Sequence, residues 1–186
     1  MSRWISVQRN GVLRFAFVVM CWVDVIILID SPLDALAPYA SDSRNFYELR
    51  LGSVTWQGAS VLSPLATYRG VMGHLITIQT VAEEAFVKWL AGSGEYWLGL
   101  TQNPLTQQWI YTAGPEVGQT AGYTDWYAGF SSGSNPNCTF MNANDNGQWF
   151  TTACSQYLPF VIEYECGTGY AFGVAGCIGL PLFTGI

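Results

Sequence analysis

The sequence has few charged side chains, a single histidine and a low content of lysine and arginine. Charged residues make up 11% of its 186 positions, and 13 acidic against 7 basic side chains give a formal net charge of -6. A phosphate backbone is bound through clustered Lys and Arg, so we expect no nucleic-acid partner. His74 alone cannot build a multi-histidine metal centre. Any Ser-His or Cys-His catalytic arrangement would have to include it.

Known enzyme signatures are also missing. The sequence contains no nucleophile elbow, no phosphate-binding loop and no cluster of metal ligands. The adjacent pair Glu83 and Glu84 is better explained as the acidic first turn of a helix than as a pair of catalytic carboxylates. We therefore predict that the protein is not an enzyme and that it carries no catalytic or metal-binding residues.

Apolar and aromatic residues, in contrast, are abundant. They make up 50% and 15% of the chain, and the aromatic residues include 8 Trp, 10 Tyr and 10 Phe. This composition can fill a sizeable core, and the length allows one ordinary domain with flanking segments. Extensive disorder is not expected.

Residues 1 to 40 resemble a secretory signal. Three arginines precede the apolar run Phe15 to Val23, which is too short to cross a bilayer and is followed by Asp24. Ala35 to Ala37 supply the small residues expected before a cleavage site. We favour a cleaved signal, and the alternatives are a signal-anchor or a plain buried segment.

The clearest helix of the globular part is predicted to begin after Thr80. Thr80 and Glu83 have the spacing of a capping box, and Gly92 and Gly94 end the pattern. A weaker period over Trp56 to Tyr68, interrupted by Pro64, predicts a short or kinked helix. The apolar face of the main helix is predicted to consist of Val81, Ala82, Ala85, Phe86, Trp89 and Leu90.

Short apolar segments bounded by turn residues predict the strands. The first is expected to end at Gly52 and Ser53, and Trp97, Trp109 and Trp149 are expected in the core. The strand candidates are residues 46–51, 75–78, 97–100, 108–111, 138–141, 148–150 and 160–164.

Two segments have no clear strand or helix pattern. Residues 112–137 are rich in Gly, Ser, Pro and Asn, and loops of this length are usually functional. Residues 167–186 form a Gly-rich apolar tail with no readable period, which could begin another module.

Five cysteines are present, one of them, Cys21, inside the proposed signal. Cleavage would leave four, an even number that suits an oxidising compartment. Four cysteines allow three connectivities. We favour Cys138 with Cys154 and Cys166 with Cys177, because each pair closes a short loop beside a recognisable segment.

The order of motifs resembles the C-type lectin-like domain family over about residues 44–166. No single motif is specific to the family, but the order and spacing of the motifs together are. The matching pieces are Tyr47-Glu48-Leu49, Thr55-Trp56 with Ala59, Gly73-His74-Leu75-Ile76-Thr77-Ile78, Glu84 with Phe86, Trp97-Leu98-Gly99-Leu100, Trp109 with Tyr111, Gly114-Pro115, Asp125-Trp126, Asn137-Cys138, Gly147 with Trp149, Cys154, and Phe160-Val161-Ile162-Glu163.

This resemblance implies an α+β fold, in which two helices flank two small antiparallel sheets and a long loop projects from the second sheet. The family's loop disulfide maps onto Cys138 and Cys154. Its more widespread disulfide would join the positions of Tyr68 and Ile162, so apolar packing is expected there instead. His74 occupies a position that the family fills structurally.

Calcium-dependent members of the family hold the ion with carboxylates that this chain lacks. The expected positions fall near Phe130-Ser131-Ser132, Pro136 and Phe150-Thr151. A displaced triplet, Asn135-Pro136-Asn137, also lacks a carboxylate. A weak cation site around Asn144 and Asp145 is an alternative to a polar turn, and we favour the turn. No cofactor is predicted, and calcium is not expected.

We therefore predict a secreted or cell-surface recognition domain that binds carbohydrate or an extracellular protein, independently of calcium. A membrane is a partner only if the N-terminal segment stays uncleaved. The alternative is a structural or adhesion module of a larger surface or matrix protein. Loop aromatics either pack in the loop core or contact ligand. The candidate ligand-binding residues are Trp126, Tyr127, Phe130, Asn135, Asn137, Asn144 and Asp145.

Overall fold

The computed structural model describes seven parts of the chain, and they fall into two compact units. The described residues are 3–9, 12–18, 36–38, 45–130, 137–166, 170–173 and 176–179. One unit covers Met1–Leu33 and the other covers Asp34–Ile186. No helix in these described ranges is long and apolar enough to cross a membrane.

The first unit contains a β-hairpin. Strand β1 (Arg3–Arg9) pairs antiparallel with strand β2 (Val12–Val18), with Arg9 opposite Val12 at the turn. The apolar run that suggested a signal therefore begins within β2. The secretory signal over residues 1 to 40 stays a prediction.

The second unit contains two α-helices and twelve strands within the described ranges. Its first half comprises β3 (Leu36–Pro38), β4 (Asn45–Val54), α1 (Trp56–Leu62), a 3-10 turn (Ser63–Leu65), β5 (Thr67–Tyr68), β6 (Val71–Met72), β7 (His74–Leu75) and α2 (Val81–Ala91). Its second half comprises β8 (Glu95–Gln102), β9 (Trp109–Tyr111), β10 (Asn137–Asn142), a 3-10 turn (Ala143–Asp145), β11 (Trp149–Ala153), β12 (Leu158–Glu165), β13 (Tyr170–Gly173) and β14 (Gly176–Gly179).

Two strand groups are joined into one sheet by a parallel pair. Six strands follow the order β11-β10-β8-β12-β4-β3, and β7 pairs with β12 while β9 pairs with β8. Every pair in this sheet is antiparallel except β8 with β12, which meet at Trp97 and Phe160. The two small antiparallel sheets expected from the sequence therefore correspond to the strands on either side of the β8–β12 pair.

Two details of the strands differ from the sequence-based expectation. Strand β4 continues to Val54 and does not end at Gly52. Residues 76–78 are buried but lie outside any strand. Ile76 still bonds two neighbouring strands, since its N–H donates to Val161 O at 3.1 Å and its carbonyl accepts from Gly99 N at 2.7 Å.

Both helices occur where they were predicted. Thr55 caps α1 by accepting from Gly58 N at 3.1 Å, and the helix tightens into the 3-10 turn at Pro64. Thr80 caps α2 by accepting from Glu83 N at 3.1 Å. The return bond of the capping box is displaced by one residue, because the Glu83 carboxylate accepts from Gln79 N at 2.8 Å.

The predicted apolar face of α2 is confirmed for Phe86 and Leu90 and is wrong for the other four residues. Val81 and Trp89 are 69% and 71% exposed, and Ala82 and Ala85 are also exposed. The helix instead buries Glu83, Glu84, Val87 and Ala91, with Phe86 and Leu90 partly buried beside them. The buried face of α2 is therefore the one that carries Glu83 and Glu84, because groups distant in sequence hydrogen-bond their carboxylates. These hydrogen bonds favour burying the two glutamates rather than Val81 and Trp89.

The core is aromatic at its centre. Trp97, Trp109 and Trp149 are all buried, as predicted. At the positions without the family's disulfide, Tyr68 packs against Phe46 and Tyr164 with ring centroids 4.7 and 5.8 Å apart. Ile162 belongs to the same apolar cluster. Apolar packing therefore replaces a covalent bond there.

Both favoured cysteine pairings are confirmed. Cys138 bonds Cys154 with a Cα separation of 5.0 Å, and Cys166 bonds Cys177 with a Cα separation of 5.6 Å. The second disulfide closes the tail, where β13 and β14 form an antiparallel hairpin. The tail thus has a regular structure that its composition did not indicate.

Replacing Cys138 and Cys154 together by Ala is expected to weaken the domain without unfolding it. In the chain-entropy model, a cross-link closing a loop of this length contributes about 3 kcal/mol to the free energy of unfolding. The helix and sheet packing around Trp97 does not depend on the bond. Chemical denaturation followed by circular dichroism measures both the free energy of unfolding and whether the variant is folded without denaturant.

The matched control replaces Cys166 and Cys177 by Ala. The bond removed here closes a loop of 11 residues rather than 16, so the same model gives a slightly smaller loss of stability. Loss of the folded circular dichroism spectrum in the Cys138 and Cys154 variant, at ambient temperature and without denaturant, would contradict this account of the core.

Candidate functional site

The long segment after β9 is described from Thr112 to Phe130, and its aromatic residues divide into buried and exposed sets. Trp126 is half-buried, with its ring centroid 4.5 Å from Trp109 and 5.7 Å from Trp149. It also forms a β-bridge with Trp149. Trp126 therefore belongs to the loop core.

Tyr127 and Phe130, in contrast, are 43% and 38% exposed. Both contact the half-buried Phe150 of β11. Tyr127 stacks on Phe150 with centroids 5.0 Å apart and planes 19° apart, and Phe130 meets Phe150 edge-on at 4.9 Å. We call these three residues, Tyr127, Phe130 and Phe150, the aromatic patch.

The aromatic patch rests on rigid structure. Phe150 stacks on buried Phe140 at 5.4 Å, and Phe140 meets the fully buried ring of Trp97 edge-on at 6.5 Å. The loop backbone is held as well, because Tyr127 N donates to Trp149 O at 3.0 Å and Trp149 N donates to Asp125 O at 2.7 Å. The exposed rings are therefore presented in a preformed arrangement.

A group of buried carboxylates lies under α2, and the sequence-based reasoning missed it. Glu163 is fully buried in β12, where Oε1 accepts from Asn45 Nδ2 at 2.9 Å and Oε2 accepts from Thr77 N at 3.1 Å. Glu83 accepts from the hydroxyl of Tyr47 at 2.8 Å. The available signal was an acidic residue within the apolar strand pattern of residues 160–164.

Burial dominates the protonation of these groups. It raises the pKa of Glu163 well above its ordinary value, and the neighbouring charges of Glu83 and Glu165 raise it further. Burial likewise raises the pKa of Glu83, against the opposing effect of its bond from Gln79 N. The Tyr47 hydroxyl stays protonated, since burial and both carboxylates raise its pKa.

Glu84 links α2 to the long segment. The hydroxyl of Tyr123 donates to its carboxylate. Burial raises the pKa of Glu84 to about 7, a shift that the Tyr123 bond opposes and the nearby charge of Asp125 reinforces. This carboxyl therefore titrates near neutral pH while it holds a loop residue.

Comparison with known proteins identifies the family. The family model described as Lectin C-type domain matches residues 67–164, which is more than half of the chain. The chain belongs to the C-type lectin domain family.

Individual relatives agree with this assignment. Human tetranectin is 29% identical over 97 residues, which are 50% of this chain and 48% of tetranectin, so the chain spans about half the length of that relative. The structure of the C-type lectin CEL-I from Cucumaria echinata superposes with a TM-score of 0.58 at 20% identity, covering 72% of this chain and 96% of CEL-I. The mouse scavenger receptor C-type lectin carbohydrate-recognition domain superposes with a TM-score of 0.55 at 20% identity, covering 67% of this chain and 91% of that domain. The predicted α+β C-type lectin-like fold is confirmed.

Of the positions that the family resemblance assigns to calcium ligands, Phe130, Phe150 and Thr151 are described, whereas Ser131, Ser132 and Pro136 lie outside the described residues. Phe130 and Phe150 take two of these positions, and their rings contact each other at 4.9 Å. Calcium requires six to eight oxygen ligands, several of them carboxylate. The side chains of Phe130 and Phe150 offer no oxygen ligand to an ion, and calcium independence stays a prediction.

The polar candidates do not join the aromatic patch through any contact in the described ranges. Asn144 and Asp145 lie exposed in the 3-10 turn between β10 and β11, where Asn142 donates to Asp145 Oδ2 at 3.0 Å and accepts from Asn144 N at 2.9 Å. The structure contains a turn at this position, and the absence of a cation there stays a prediction. Asn137 is described only as a β10 residue opposite Ala153, and Asn135 lies outside the described residues.

The raised pKa of Glu84 predicts a pH-dependent stability. A folded-state pKa of about 7, against an ordinary value of 4.5, means that the folded protein holds a proton that the unfolded chain releases. This contribution is fully present below pH 4.5 and is lost as the pH rises through about 7. The Glu84→Gln variant should therefore lose less stability than the wild type between about pH 5 and 8.

Thermal unfolding at a series of pH values in this range tests the effect. The Asp145→Asn variant, which removes an exposed carboxylate from the 3-10 turn, serves as the control and should keep the wild-type pH dependence. Parallel curves for the wild type and Glu84→Gln would show that Glu84 does not titrate there.

Proposed function

We propose that this C-type lectin domain is an extracellular, non-enzymatic recognition module that binds a carbohydrate or protein ligand through the aromatic patch, without calcium. The observation that carries the proposal is the contact of the exposed rings of Tyr127 and Phe130 with Phe150. The family resemblance assigns the positions of Phe130 and Phe150 to calcium ligands. An apolar surface at these positions supports binding without calcium.

The chemistry of the aromatic patch suits recognition. Exposed aromatic rings bury a large area at a small cost in side-chain entropy, and they stack on the apolar faces of sugars or fill pockets in a protein partner. Because Phe140 and Trp97 hold Phe150 from below, the rings do not have to be ordered on binding. Preorganisation of this kind reduces the free-energy cost of association.

The cysteines support an extracellular location. Two disulfides are formed among Cys138, Cys154, Cys166 and Cys177, and such bonds persist in oxidising compartments. The basic and apolar order of residues 1 to 40 agrees with export. Secretion, with or without retention at the cell surface, is the localisation that we propose.

Removing either exposed ring should weaken recognition without unfolding the domain. Full-length protein is screened on a glycan array and an array of extracellular proteins, with calcium and again with a chelator. Binding to its target should survive the chelator, because no ion takes part. Tyr127→Ala and Phe130→Ala should each weaken this binding about tenfold or more, which is typical of a central aromatic contact.

Leu105→Ala is the matched control. Leu105 is 92% exposed in the turn between β8 and β9. Its truncation therefore removes a large, exposed apolar side chain that lies outside the aromatic patch. Binding that disappears with the chelator would overturn calcium independence. Equal affinities of the wild type, Tyr127→Ala and Phe130→Ala would overturn the assignment of the ligand surface.

A further inference from the structure

His74 lies beside two glutamates of β12, and its contacts in the described ranges do not include the aromatic patch. It pairs with Glu163 in the β7–β12 register, and its side chain is 12% exposed. Its Nδ1 lies 3.2 Å from Leu75 O, so a proton on Nδ1 is donated to that carbonyl. The second ring nitrogen, Nε2, is then left with its lone pair directed away from the backbone.

Two buried atoms face each other across a gap in this cluster. His74 Nε2 and Glu165 Oε2 have no hydrogen-bond partner among the described residues, although neither is accessible to solvent. They are 3.8 Å apart, which is too long for a hydrogen bond. Two ligands of a tetrahedral metal with bonds of about 2.0 Å lie about 3.3 Å apart, so a small adjustment would fit an ion between them.

Glu163 completes a set of three ligands. One side-chain ligand atom from each of His74, Glu163 and Glu165 lies within 4.8 Å of the other two. The two carboxylates come from the same face of β12, because their positions are two residues apart on one strand. The histidine comes from the paired strand β7, so the set spans two elements of the sheet.

The surroundings of the three residues are acidic. Glu116 lies close to the cluster. Burial raises the pKa of its carboxyl most, the charge of Glu165 raises it further, and His74 lowers it. The buried Oε2 of Glu116 has no hydrogen-bond partner within the described ranges. Among the described residues, no Lys or Arg forms an ion pair with Glu163 or Glu165. A bound cation would supply the missing positive charge.

The backbone of the long segment covers the imidazole. Gly114 has a φ of +73°, and a Cβ placed on it would lie 2.9 Å from His74 Cε1. Only a glycine allows the chain to pass this close. Gly114 of this segment therefore packs directly against the imidazole.

We propose that His74, Glu163 and Glu165 form a binding site for a zinc-class divalent cation, which stabilises the fold and is separate from the ligand surface. Imidazole together with carboxylate is a ligand set for zinc, whereas calcium takes oxygen ligands alone. Three protein ligands leave one tetrahedral position for a water molecule or for the nearby carboxylate of Glu116. The sequence did not indicate this site, because its ligands are one isolated histidine and two residues of an apolar strand.

The proposal is tested by titrating zinc chloride into full-length protein from which metals have been removed by a chelator. Calorimetry should find one zinc per chain, and zinc should raise the thermal unfolding midpoint while calcium chloride leaves it unchanged. Glu165→Gln and His74→Gln should each lower the zinc affinity about tenfold or more. Cobalt(II) absorption should report a nitrogen ligand in the wild type and lose that signature in His74→Gln.

Glu95→Gln, which removes a half-buried carboxylate at the start of β8, is the matched control and should bind zinc like the wild type. If His74→Gln does not fold, Glu165→Gln decides the outcome. Absence of zinc binding in the wild type, or unchanged binding by folded Glu165→Gln, overturns the proposal. These measurements use no glycan or protein ligand. A result that overturns the zinc site therefore leaves the proposed recognition function untouched.

Discussion

The buried carboxylate of Glu163 is the contact on which the arrangement of this domain depends. It lies at 0% exposure in the central strand β12, and its hydrogen bonds reach Asn45 on β4 and Thr77 in the segment after β7. Tyr47 on β4 then continues the network to Glu83 on α2. A buried carboxylate without such partners would cost several kcal/mol, so the network specifies where these elements meet.

Apolar contacts complete the same region, where many relatives would have a disulfide. Tyr68 packs between Phe46 and Tyr164, and the guanidinium of Arg69 lies 5.1 Å from the ring centroid of Tyr68. Gly73 allows β12 to approach, since a Cβ on it would lie 2.4 Å from Ile162 Cγ2. The polar network and these rings together replace the covalent link, which explains how both cysteines could be absent from one fold.

The sequence predicted both helices and most strands of the eight-stranded sheet, because their signals are local. Turn residues bound the strands, Thr80 caps α2, and short loops favour the two cysteine pairings that the structure contains. The burial of α2 could not be predicted in this way. Glu83 and Glu84 point inward because Tyr47 and Tyr123, which are 36 and 39 residues away, donate to them. Periodicity describes a helix alone and holds no information about such remote partners.

The loop aromatics show the same limit of local reasoning. Trp126, Tyr127 and Phe130 are close in sequence, yet Trp126 packs between Trp109 and Trp149 while the other two stay exposed. What separates them is the position of Phe150, which comes from β11 and gives Tyr127 and Phe130 a ring to rest on. The cluster of His74 and Glu165 likewise arises only when β7 pairs with β12.

The support of the aromatic patch has a consequence for how ligand binding responds to ions. In a calcium-dependent site the ion both orders the loop and coordinates the ligand, so a chelator removes both effects together. Here Phe150 is held by the stack on Phe140 and by the β10–β11 pairing, and the Cys138–Cys154 disulfide ties those two strands. Order in the loop therefore comes from packing and a covalent bond. An ion in the His74 cluster would add stability at the start of the long segment, and its removal would lower the thermal midpoint while the rings that meet the ligand stay in place.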